Sequence, residues 1–146
     1  MENVITDADA LTIGWTQAQA ATRRIAYRRL LGFNLIIQTA VGFIAVVVPV
    51  WLSRAADLPG PPSSGWVQLW GVMLLIMATL YLPGCIEPVQ VRWPNVVGIV
   101  ARFVLAVAYV RLGQGLRWFA LYELVFAVAL AWSYRQLLRA ELMSRP

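Results

Sequence analysis

The sequence predicts an all-α integral membrane protein, a four-helix bundle with antiparallel up-down topology and both termini cytoplasmic. Three observations predict it. Hydrophobic residues make up 60% of the chain and charged residues 13%, with a mean hydropathy of +0.68, which leaves too little polar surface to coat a water-soluble globule. Four apolar stretches, 31–52, 66–82, 94–112 and 116–134, each approach the roughly 20 residues that a helix needs to cross the hydrocarbon core, and they nearly exhaust the chain. None of them alternates with period two, so a lipid-facing β-barrel is not expected, and helices are the remaining way to satisfy backbone groups in hydrocarbon.

In chain order, residues 1–30 form a cytoplasmic segment in which Thr16 to Leu30 reads as a basic amphipathic helix. Arg23, Arg24, Arg28 and Arg29 would face anionic headgroups while Ile25, Tyr27 and Leu30 dip inward, as a positive-inside anchor or as a docking surface for a cytoplasmic partner. Positive charge before an apolar run resembles a cleavable signal, but the run is too long and has no small-x-small cleavage site, so the segment is expected to be retained. The first span is stopped by Ser53, Arg54, Asp57 and the turn-rich Pro59-Gly60-Pro61-Pro62-Ser63-Ser64-Gly65. The second carries no charge and is closed by Pro83-Gly84. The connection from Pro83 to Pro94 is too proline-rich for a helix and reads as a stiff cytoplasmic turn carrying Glu87 and Arg92. Leu82-Pro83-Gly84-Cys85 looks like a lipoprotein processing box, but it sits mid-chain after two spans, and Cys85 is expected to be an ordinary thiol near the inner interface. The third span opens with Pro94 in its first turn, where a missing N–H costs nothing. Only Gly113-Gln114-Gly115 separates it from the fourth, enough for a tight antiparallel hairpin. Residues 135–146 form a cytoplasmic tail.

Charge sets the orientation. The net +5 is carried by arginine alone, because the chain has no lysine. Arg23, Arg24, Arg28, Arg29, Arg92, Arg135, Arg139 and Arg145 fall on one side of a four-span arrangement and Arg54, Arg111 and Arg117 on the other. Eight against three puts both termini inside and makes the excess a topology signal rather than a nucleic-acid footprint. Trp51, Trp66, Trp70, Trp118 and Tyr109 then lie near the outer interface, and Trp93, Trp132, Tyr81 and Tyr134 near the inner one, as aromatic belts. Lipid is the first partner, and no nucleic acid is expected. The lack of lysine with abundant arginine and alanine points to a GC-rich bacterium and a multi-pass place in its cytoplasmic (inner) membrane.

The composition also removes chemistry. Without histidine there is no usual haem, zinc or copper ligand and no neutral-pH proton shuttle. One cysteine makes neither an internal disulfide nor a cysteine metal cage. No metal, cofactor or catalytic residue is assigned, and a bound lipid or quinone is the one small-molecule class left open.

The informative residues are the polar ones that lipid should exclude, chiefly Arg102 in the third span and Glu123 in the fourth. With the hairpin centred near Gln114, Arg102 lies opposite Phe126 and Glu123 opposite Leu105. That offset is roughly 5 Å along the axis, within an arginine's reach, so the two are expected to form an ion pair. Gly98, Ala106, Ala120, Ala127 and Ala131 would let the backbones approach closely around it. Asn34 and Gln38 share one face of the first span with Gly42 and Ala45, and Thr79 adds a hydroxyl from the second. Asn34, Gln38, Thr79, Arg102 and Glu123, with Glu87 from the loop, would line a pocket open to the cytoplasm, or Asn34, Gln38, Thr79, Arg102 and Glu123 would join the helices without binding anything.

Three segments carry a family resemblance: Trp70-Gly71-Val72-Met73-Leu74, Val97-Gly98-Ile99-Val100-Ala101-Arg102-Phe103 and Leu121-Tyr122-Glu123-Leu124-Val125-Phe126-Ala127. Over roughly residues 30 to 135 the chain resembles the DoxX-like group of small four-helix bacterial membrane proteins, whose namesake is a membrane subunit associated with thiosulfate:quinone oxidoreduction. The resemblance implies an accessory role, and the lack of any redox ligand set speaks against electron transfer by this chain itself. The function expected from the sequence is therefore a non-catalytic accessory subunit or partner-binding protein of an inner-membrane complex, associated with a redox or transport system. Its partner would be a larger membrane protein or further copies of itself. Two alternatives stand beside it: a small-solute transporter or channel built on the Arg102 and Glu123 pocket, and a quinone- or lipid-dependent membrane enzyme with Arg102 positioning an oxygen and Glu123 moving a proton.

Overall fold

The computed structural model describes the backbone of residues 7–58 and 64–144, and the side chains within them from residue 15 onward except Ser64 and Gln114. The proline-rich stretch at 59–63, expected from the sequence to turn, and Arg145 lie outside the described residues. The described residues form helices joined by short connections: α1 (Asp7–Val47), α2 (Pro49–Ala55), α3 (Ser64–Ile86), α4 (Arg92–Leu112) and α5 (Arg117–Met143), with one 3-10 turn at Gln114–Leu116. Three helical stretches, Trp15–Val47, Gly65–Ile86 and Arg92–Leu112, are long and apolar enough to cross a membrane. This is an all-helical membrane protein. α5 has 27 residues, but Glu123 in its second turn and Arg135, Arg139 and Glu141 in its last third make it less apolar.

Several boundaries differ from those the sequence predicts. The basic segment and the first span are one uninterrupted helix of 41 residues, about 60 Å long at 1.5 Å per residue. Continuity follows from the lack of any proline before Pro49 and from packing: Ala20 and Tyr27 are buried, and Tyr27 stacks at 5.2 Å on Tyr134 of α5. Tyr27 thus turns into the protein rather than toward lipid, whereas Ile25 stays exposed. The same contacts make the expected tail helical as far as Met143, since Leu137 and Ala140 are buried and Glu141 pairs with Arg24 at 2.5 Å. Within the expected first span, Pro49 breaks the helix. Its ring pushes Val48 out of the helical region, to φ −131° and ψ 56°, and opens α2.

Pro83 does not end α3, which continues to Ile86. A proline in the last turn removes one N–H donor, and the ladder resumes at once with Glu87 N–H donating to the Pro83 carbonyl at 3.0 Å. With α4 opening at Arg92, the connection shrinks to a compact turn, closed by the Val91 N–H on the Glu87 carbonyl at 2.9 Å. Pro94 sits in the first turn of α4, as its chemistry requires.

α1 packs along α3 and α5, and α4 packs along α5 and more sparsely along α3. The α1/α3 seam is a near contact of backbones. A Cβ placed on Gly71 would lie 2.7 Å from the Ala45 Cβ and 2.8 Å from the Gly42 carbonyl oxygen. Two apolar clusters result. One gathers Tyr27, Leu31, Leu35, Tyr81, Leu130 and Leu137; the other gathers Ala45, Leu52, Leu58, Val67 and Leu116 at the opposite end. The polar residues lie between them.

Candidate functional site

Each long helix sends polar groups to the same level. On α4 the buried face is Asn95, Gly98, Arg102 and Ala106, and on α5 it includes Ala120, Glu123, Ala127 and Leu130. These spacings of three and four put Arg102 and Glu123 on facing stripes among small residues. The Arg102 Nη1 donates to Glu123 Oε2 at 2.6 Å, with both side chains below a tenth exposed. The expected ion pair is therefore present.

Arg102 also reaches α1. Its Nη2 donates to Asn34 Oδ1 and, at 3.0 Å, to Gln38 Oε1. The two amides pass the connection on: Asn34 Nδ2 donates to the Tyr122 hydroxyl of α5 at 2.7 Å, and Gln38 Nε2 donates to the Leu74 carbonyl of α3 at 3.3 Å. One guanidinium thus ties α1, α3, α4 and α5 together in a single chain of hydrogen bonds. A lone charge in a dry interior is expensive, and its cost is offset here by a counter-ion and two amide oxygens at once.

The other sequence candidates do not join this cluster. Thr79 is exposed, and its hydroxyl donates back to the Ile76 carbonyl at 2.7 Å. The inward face of α3 runs through Gly71, Ala78 and Tyr81, and Thr79 lies one position, about 100°, away from it. Glu87 and Arg92 are exposed at the turn, where Arg92 Nε donates to the Val89 carbonyl at 3.1 Å. Arg23, Arg28 and Arg29 are exposed along α1, and only Arg24 of this basic set forms an ion pair among the described residues.

Sequence reasoning passed over Asn95, Tyr122 and the aromatic groups around Glu123. Asn95 is 4% exposed and its Nδ2 donates to the carbonyls of Gly84, Pro88 and Val91 at 3.1, 3.3 and 3.4 Å, fastening the α3–α4 turn. An asparagine directly after the proline that opens an apolar helix is a signal that could have found it. On the far side of the ion pair, Trp70 Nε1 donates to the Tyr109 hydroxyl at 3.2 Å, and Phe119 meets Trp70 edge-on at 5.2 Å.

Two cavities adjoin Glu123. One, of about 180 Å³, is walled by Ile37, Val41, Trp118, Phe119 and Tyr122. The other, of about 500 Å³, lies between α3 and α4, where Met73, Met77, Ala101, Val104 and Leu105 face each other in front of Arg102. No group of three or more metal-ligating side chains occurs among the described residues. No family model, curated protein or solved structure matches the chain.

Proposed function

We propose that this chain is a four-span antiparallel bundle of a bacterial inner membrane, with both termini cytoplasmic, acting as a non-catalytic accessory subunit that binds a larger membrane-protein partner. The observation that carries the reading is a contrast between buried and exposed charge. Inside, Arg102, Glu123, Asn34 and Gln38 bond to one another and to the helices they join, which suits a clasp better than an acid, a base or a conducting path. Outside, α1 and α5 continue as a pair held by Arg24 and Glu141, and their surface exposes Arg23, Arg28, Arg29, Arg135 and Arg139. Such a basic helical pair on the arginine-rich side favours docking to an acidic surface. The resemblance to the DoxX-like group agrees with an accessory role, and the arginine distribution agrees with the proposed orientation.

The test is native purification from the membrane through a C-terminal tag, with Arg135→Glu/Arg139→Glu in parallel. A larger protein recovered in fixed stoichiometry with the wild type and lost with the variant is the expected result. Recovery of the chain alone, or of further copies of itself alone, contradicts the accessory reading.

A further inference from the structure

The cleft between α3 and α4 is a different structure from the clasp behind it. Toward one end the two helices touch, since a Cβ on Gly98 would lie 2.7 Å from the Tyr81 ring. Toward the other end the Trp70 to Tyr109 hydrogen bond of 3.2 Å closes them again. Between these two closures, about 16 Å apart along α3 at 1.5 Å per residue, the helices part and leave a cavity of about 500 Å³. Met73, Val104 and Leu105 on its rim are exposed, so it opens sideways, toward what would be hydrocarbon.

Its walls and floor differ in kind. The walls are apolar, with Met77 and Ala101 behind the rim, while Gln38, Arg102 and Glu123 lie at the back. The bonds to Glu123, Asn34 and Gln38 use three of the five N–H groups of Arg102, and a guanidinium has no acceptor, so the floor keeps donors. Tyr109, which accepts from Trp70, keeps its own O–H to give. Because Arg102 and Glu123 neutralise each other, the floor favours neither a free anion nor a free cation. An acyl tail would leave the donors unanswered, and the closures at both ends disfavour a water or ion path. The size is that of a small-molecule site.

We infer that this lateral cleft binds an uncharged, membrane-dissolved small molecule whose hydrogen-bond-accepting carbonyl meets Arg102 and whose apolar body lies between Met73, Met77 and Leu105. The ligand enters from the bilayer, and the site adds to the accessory role without depending on it.

Benzophenone is a suitable probe, being a neutral lipophilic ketone that inserts into neighbouring C–H bonds on irradiation. The full chain in phospholipid vesicles is labelled and the adducts are located by peptide mass spectrometry. Saturable labelling at Met73 and Met77 is expected, displaced by dicyclohexyl ketone about tenfold more effectively than by dicyclohexylmethane, as one hydrogen bond to a charged donor would make it. Leu105→Trp, which fills the cleft from an exposed rim position, is expected to cut that labelling about tenfold, with labelling at Val100 on the lipid-facing side of α4 unchanged. Equal displacement by ketone and hydrocarbon, or labelling of Met73 and Met77 that rises without saturation as at Val100, overturns the inference. So does the absence of labelling in the cleft while Val100 labels normally, which means that another helix covers it.

Discussion

The two sides of α3 are built by opposite rules. Against α1, glycine meets glycine: Gly42 and Gly71 bring the backbones so close that a single added carbon would collide with Ala45. Against α4, the same helix offers Met73 and Met77 and meets Ala101, Val104 and Leu105 across a gap of about 500 Å³. In water a gap of this kind would be an unfilled core and a large loss of stability. In a membrane, lipid fills whatever the protein leaves, and helix association rests on close van der Waals contact and buried hydrogen bonds. One seam can therefore carry the stability while the other stays open, with the Arg102 clasp holding both.

The contrast orders the expected effects. Among changes at the seams and the turn, Gly71→Leu should be the most damaging, because four carbons must enter a space that rejects one; a loss of about 3 kcal/mol or more is expected, seen as aggregated protein on size exclusion in detergent. Equal damage from Leu105→Trp would abolish the distinction between the seams. Asn95→Ala should cost about 1–3 kcal/mol by stranding the carbonyls of Gly84, Pro88 and Val91, and hydrogen exchange should accelerate in the turn at residues 86–91 while the Gly42/Gly71 crossing keeps its protection. Leu105→Trp should change the unfolding midpoint least, by less than about 1 kcal/mol, because the ring enters existing space rather than displacing a neighbour.

What could be read from the sequence follows the same division. The apolar runs announce helices, and Arg102 and Glu123 announce a pair, because a short hairpin at Gly113 leaves few ways for two such residues to avoid each other. The partners on α1 were in reach too, since Asn34 and Gln38 share a face. Thr79 was misplaced because the face of an almost uniformly apolar helix is not visible in its own sequence; only contact with α1 decides that Gly71 and Ala78 point inward. The helix end near Pro83 was misjudged for a related reason. A proline removes one hydrogen bond, but neighbouring helices and a dry surrounding decide whether the ladder resumes. The burial of Leu137 and Ala140 against α1 is likewise a tertiary event that no local signal records. Gly42 and Gly71 could be noted as small residues, but the open α3/α4 cleft depends on how far two helices diverge, which composition does not encode.

The most direct test of the central claim, that Arg102 and Glu123 form one mutually satisfied clasp, is a double-mutant cycle on unfolding in detergent with Arg102→Ala, Glu123→Ala and the double variant. Each single change should cost about 3–5 kcal/mol by leaving its buried partner charged and alone, and the double variant should be more stable than either single one. Single costs that simply add in the double variant would contradict the account, since they would mean that the two residues hold the helices independently.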